Sequence, residues 1–138
     1  MSRLIGVLLI VAIAASGCQP DTRADEVLDF AVDYAVAEAN QDWATEWAMS
    51  AEAQSLDPTV EAFVDRNERS LNQAGNWGLD PDVHTIDREI HSSGEEFGRR
   101  WWIVRIRYYD IPNPGTTDRV YRIEETDDGQ LLITNDRV

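Results

Sequence analysis

The chain opens on an unbroken apolar run, Leu4 to Ala15, and beyond it hydrophobic positions recur only in periodic patterns. From Ala24 or Asp25 the period is helical. Val27, Phe30, Ala31, Tyr34 and Glu38 share one stripe, and Leu28, Val32, Ala35 and Ala39 broaden its apolar side. Asp25, Glu26 and Asp29 suit the positive end of that helix dipole. Asn40-Gln41-Asp42 interrupts the pattern, and Asp42 is placed to cap a second, short helix beginning at Trp43. Trp43 and Trp47 are one turn apart and share a face. Asp57-Pro58 reads as another start, an acidic cap followed by proline at the first helical position. Val60, Phe63, Val64, Asn67, Leu71 and Ala74 then keep to one stripe until Gly75-Asn76.

The period next falls to two. Val83 to Ser92 predicts a strand, with Ser93-Gly94-Glu95-Glu96 as its turn. Arg99 to Asp110 is the strongest strand, dense in β-branched and aromatic residues. Pro112-Asn113-Pro114-Gly115 forces a loop, Asp118 to Thr126 is a third strand, Asp127-Asp128-Gly129 a tight turn, and Gln130 to Asn135 a last strand. Short turns between successive strands imply an antiparallel meander. Helices first and a meander after predict an α+β fold, with the N-terminal helices packed on one face of a four-stranded antiparallel sheet.

Alternation assigns the faces. On the second strand Trp102, Val104, Ile106 and Tyr108 form the apolar, core side, while Arg99, Trp101, Ile103, Arg105, Arg107 and Tyr109 point the other way. On the first strand His84, Ile86, Arg88 and Ile90 share a side, opposite Asp87, Glu89 and His91. If the isoleucines face the core, His84 and Arg88 face it with them.

The opening run has the parts of a secretory signal: Arg3, twelve apolar or small residues, and a small-residue boundary. A helix of that length rises roughly 18 Å, short of the ~30 Å hydrocarbon core. Ala15-Ser16-Gly17-Cys18 resembles the lipobox of bacterial lipoprotein precursors, with Ala15 where leucine is usual. The reading is a signal over 1–17, a lipidated tether over 18–23 and one α+β domain over 24–138; ordinary signal cleavage and an uncleaved anchor are the alternatives. Cys18 is the only cysteine, which rules out an internal disulfide, and acylation would remove a thiol that is a liability in an oxidising compartment. Several acyl chains on one residue would anchor stably. Gln19, rather than aspartate, follows the cysteine, which in sorted lipoproteins favours the outer membrane. The expected location is the cell membrane or outer membrane, facing periplasm or exterior.

Removing 17 of the 138 residues leaves 121, enough for one core. All 26 acidic residues and 11 of the 12 basic ones follow Cys18, so this part carries about −15; every basic residue is arginine. Such a charge repels nucleic acid and anionic headgroups. Acid excess without lysine is also what a halophile or a GC-rich genome produces, which makes it weak evidence of role.

The helix with Phe30 and Tyr34, the Asp42-Trp43-Ala44 step into a second helix, the Phe63 helix and the closing meander resemble the cystatin-like cone of the nuclear transport factor two superfamily and its SnoaL-like members. The likeness is one of element order over roughly residues 25–136. It implies a curved sheet wrapped around the helices and a pocket between them, with Tyr34, Trp43, Trp47, His84, Arg88, Trp102 and Tyr108 as lining candidates. The superfamily holds dehydratases, isomerases and non-catalytic pockets, so fold alone does not choose.

A catalytic reading would use His84 as general base, with Arg88, Tyr34 or Tyr108 steadying an oxyanion. A solvated histidine at a strand end is the plainer account. His84 and His91 lie seven apart and point to opposite faces of a regular strand, no free cysteine remains for zinc, and neither Asp80-Pro81-Asp82 nor Asp127-Asp128-Gly129 has calcium-loop spacing. No metal or cofactor is expected. Arg99, Trp101, Arg105, Arg107 and Tyr109 form an outer-face patch suited to a homodimer or an envelope partner, since interfaces concentrate aromatics and arginine; a solvated charge ladder over Trp101 is the competing account. The leading expectation is a membrane-anchored, non-catalytic module binding a ligand or partner, with a small cone-fold enzyme using His84 as the alternative.

Overall fold

A computed structural model describes residues 22–70, 85–109 and 116–136. Four helices precede four strands: α1 Ala24–Ala39, α2 Trp43–Met49, α3 Ala51–Leu56, α4 Val60–Ser70, β1 Thr85–Glu96, β2 Arg99–Tyr109, β3 Thr116–Glu125 and β4 Leu131–Asn135. The strands form one antiparallel sheet in the order β1-β2-β3-β4. The architecture is the expected α+β meander.

Local chemistry sets the helix boundaries. Gln41 takes a left-handed conformation (φ 56°) that turns the chain after α1. The Asp42 carboxylate then accepts the Thr45 N–H at 3.3 Å and the Thr45 hydroxyl at 2.7 Å, capping α2 as its sequence position predicts. Ser50 breaks the helical run in extended backbone, accepts the Ala53 N–H at 3.1 Å as the cap of α3, and bridges to Ile133 in β4. The start at Asp57-Pro58 is corrected. Thr59 caps α4, its hydroxyl accepting the Ala62 N–H at 3.2 Å. Asp57 ends α3 instead: its carboxylate takes Arg66 at 2.8 and 2.6 Å, and its carbonyl accepts the Trp47 indole N–H at 2.9 Å. Leu71, Ala74 and Gly75-Asn76 lie outside the described residues.

The core forms between α1 and the sheet. Val27, Ala31, Val32, Tyr34 and Ala35 meet Trp102, Val104, Ile106 and Tyr108 of β2, Tyr121 and Ile123 of β3, and Leu131 and Ile133 of β4. The face assignment on β2 is therefore correct. The Phe63 helix does not join this cluster: α4 packs on α2 and α3, and Phe63 is buried under the Arg66 guanidinium, 5.4 Å from its ring centre.

Two features of β1 depart from expectation. The strand runs through Ser93-Gly94-Glu95-Glu96, and the turn falls on Phe97-Gly98, both left-handed (φ 52° and 76°). Gly94 is used as a strand glycine because it faces Trp101: a Cβ there would stand 2.7 Å from Cζ2 of that ring. Register shifts between Thr85 and Asp87 and between Ile90 and Ser92 insert Ile86 and His91 as bulge residues. Strict alternation fails there, so Ile90 packs against the core while Ile86 is 51% exposed. Among the described residues no helix is long and apolar enough to cross a membrane.

Candidate functional site

On the helix side of the sheet, the side chains expected to line a pocket instead fill space. Trp102 is 1% exposed, and Tyr34 meets Tyr121 edge to face with ring centres 5.2 Å apart. Tyr108 is buried, and its hydroxyl accepts Nε of Arg119 at 3.2 Å. Trp43 and Trp47 are half-buried on α2, with the Trp47 indole spent on Asp57. Arg88 is exposed at the rim, ion-paired with Asp29 of α1 at 2.6 Å. The six pocket candidates among the described residues are thus not gathered around one opening; the seventh, His84, lies outside the described residues, as does Cys18.

What does gather is a polar cluster that sequence reasoning missed, where the end of α1 meets α2 and the end of β4. Tyr121 donates its hydroxyl to Oε1 of Glu38 at 2.8 Å, and Tyr34 hydrogen-bonds the buried Ser50. Burial, then the carboxylates of Glu38 and Asp136, push the Glu46 carboxyl up to about 7, with Arg66 opposing. Burial and the neighbouring carboxylates raise both tyrosines well above the ordinary phenol value. A carboxyl half-protonated at neutral pH can give or take a proton. The signal was present: Glu38 is an acid on the apolar stripe of α1.

The outer face of the sheet is the second arrangement. The helices that touch the sheet do so from the other side, leaving Trp101, Ile103, Val120 and Leu132 half-exposed. Arg105 pairs with Glu89 at 2.5 Å, Arg107 with Asp118 at 2.8 Å, and Arg99 with Asp127 at 3.2 Å. The guanidinium of Arg122 lies 4.8 Å from the centre of the Trp101 ring and reaches Glu96 and Glu124 at 3.2 and 3.4 Å. The hydrogen bonds between Arg107 and Asp118 raise the Arg107 guanidinium and lower the Asp118 carboxyl from their ordinary values. The ring of Trp101 is held between Gly94 and Arg122, so the charge ladder and the aromatic patch are one structure. Tyr109 sits apart, 54% exposed at the end of β2.

A third feature is an open groove of about 840 Å³ between α1 and β4, with Phe30, Leu131 and Leu132 in its wall and Asp25, Glu26, Asp29 and Asp33 around it. Among the described residues no group of three or more histidine, cysteine or carboxylate side chains could hold a metal. Compared with protein-family models, curated proteins and solved structures, the chain matches none.

Proposed function

We propose that this chain is a lipid-anchored, non-catalytic interaction module of the cell envelope, and that its outer sheet face docks a second copy of itself. The observation that carries the reading is the charge pattern of that face. A chain of net charge −14 presents here Arg99, Arg105, Arg107 and Arg122 among Asp87, Glu89, Glu96, Asp118 and Glu124. β1 contributes an acidic row and β2 a basic one, around the apolar strip of Trp101, Ile103, Val120 and Leu132. A face of opposed rows is complementary to itself under a two-fold rotation, and two-fold interfaces match one patch with its own copy. It is also where another acidic surface can approach with least repulsion. The filled space around Trp102, Tyr34 and Tyr121 supports a packing role for the helix side.

Sedimentation velocity of the acylated protein in mild detergent tests this. Wild type sediments as a dimer, and Trp101→Glu, which places a third carboxylate beside Glu96 and Glu124, sediments as a monomer with an unchanged far-ultraviolet spectrum. A wild-type protein that stays monomeric at all concentrations contradicts the reading.

A further inference from the structure

We propose that the β1–β2 hairpin tip is a membrane wedge: Phe97 enters the headgroup layer of the bilayer holding the acyl chains and sets the domain upright on it. This rests on acylation of Cys18.

Two observations on the turn call for an explanation outside the fold. Phe97 is 97% exposed and touches no core, and it occupies the left-handed first position of a two-residue turn, followed by left-handed Gly98. Asparagine or glycine meets that backbone with least strain, because a side chain without local hydrogen bonding crowds the carbonyl. The fold therefore gains nothing from a phenyl ring here. Strain held at an exposed position points to a contact beyond the chain itself.

The position of the tip says what that contact is. Arg23, immediately before α1, reaches Glu125 at 2.5 Å and the Gly129 carbonyl at 3.0 Å. Arg100, two residues beyond the turn, reaches the same Glu125 oxygen at 2.6 Å. The start of α1, the β3–β4 turn and the Phe97 tip thus lie at one end of the molecule, fastened together by a shared carboxylate. Cys18 is four residues before Thr22, and a fully extended stretch of that length spans at most about 14 Å. Acyl chains in the bilayer keep this end, and not the Tyr109 end, beside the membrane. One ring could not hold a free protein on lipid, but on a short tether its effective concentration at the surface is high, so that it fixes orientation instead of affinity. Glu95, Glu96, Glu125, Asp127 and Asp128 outnumber Arg23, Arg99 and Arg100 at this end, so the surface it suits is zwitterionic phospholipid, with the ring as the part that enters.

The test uses the full processed chain in phosphatidylcholine vesicles containing a headgroup-nitroxide lipid. An environment-sensitive fluorophore is placed on Glu95→Cys beside the intact Phe97, or on Tyr109→Cys at the other end of β2, about 30 Å away at 3.3 Å per residue from Arg100, the partner of Glu95. Vesicle flotation reports the anchor separately: protein that fails to float refutes acylation, and only floated protein is read further. The label at 95 is expected to be blue-shifted and quenched and the label at 109 to remain water-like, with Phe97→Asn, which suits the turn, abolishing the difference. Floated protein with labels 95 and 109 equally exposed or equally quenched, or a 95 signal unchanged by Phe97→Asn, overturns the wedge.

Discussion

Trp102 carries the largest single burden among the described side chains: the most voluminous of those fully buried, it fills the space between α1 and the sheet beside Tyr34 and Tyr121. Replacing such a ring leaves a cavity that a sheet paired on both sides cannot close, so Trp102→Ala should cost ~3–5 kcal/mol in a denaturant titration. A loss under about 1 kcal/mol would reverse the face assignment of β2. Glu46 gives a prediction of opposite sign. Its folded-state value is about 7 against an ordinary 4.5, so the native state holds the proton more tightly than the unfolded chain. Stability contributed by the neutral form is complete below about 4.5 and is lost as pH rises towards 7. The groups facing it are Glu38 from α1 and Asp136 after β4, which oppose its charge, and Arg66 from α4, which favours it. Glu46→Gln should be near neutral at pH 4 and stabilising at pH 8 by about 2 kcal/mol after allowance for solvent screening; equal effects at both pH values would refute the shift. Trp102 was legible from alternation alone. Glu46 was not, because its neighbours come from helix and sheet segments far apart in the chain, although Glu38 on an apolar stripe marked half of the cluster.

At the level of elements, periodicity and caps located most of the fold. The helical stripe of α1, the Asp42 cap, the apolar side of β2 and the Asp127-Asp128-Gly129 turn all stand where the pattern places them. The failures share a cause. Ser93-Gly94 resembles a turn by composition, but Gly94 makes room for a ring from the next strand, and that requirement appears only once β1 and β2 are paired. Asp57-Pro58 resembles a cap, yet Asp57 is engaged by Arg66 and Trp47, leaving Thr59 to cap α4. The bulges at Ile86 and His91 likewise break an alternation that looks regular in one strand. The relocated turn yields its own prediction. Phe97→Asn removes a left-handed phenylalanine and should raise the stability of the protein in detergent solution by about 1 kcal/mol. A destabilising effect in thermal unfolding would mean that the ring serves the fold itself and would weaken the case for a membrane contact.

The whole molecule is organised along its strands. One end carries the start of α1 and the Phe97 tip and the opposite end carries Tyr109, while the Glu38–Glu46 cluster lies between them, where Tyr121 pairs with Val104 half-way along β2. In the proposed orientation, with the first end on the bilayer, the strands would stand along the membrane normal and the outer sheet face would look sideways, towards other molecules on the same surface. Two anchored copies can be related only by a two-fold axis along that normal. An axis parallel to the strands and passing between β1 and β2 sets the acidic row of one copy against the basic row of the other, so the charge pattern is compatible with the symmetry that the proposed tether would require. On this proposal the acid excess, whatever its origin, would disfavour encounters in orientations other than the one in which the balanced faces meet. The most direct measurement places a photo-crosslinking residue at Ile103, in the middle of the outer face, or at Leu56, exposed on the helix side, in protein held on its native membrane. The account predicts a species of doubled mass from position 103 and none from position 56. No doubled species from 103, or equal yields from both positions, would contradict it.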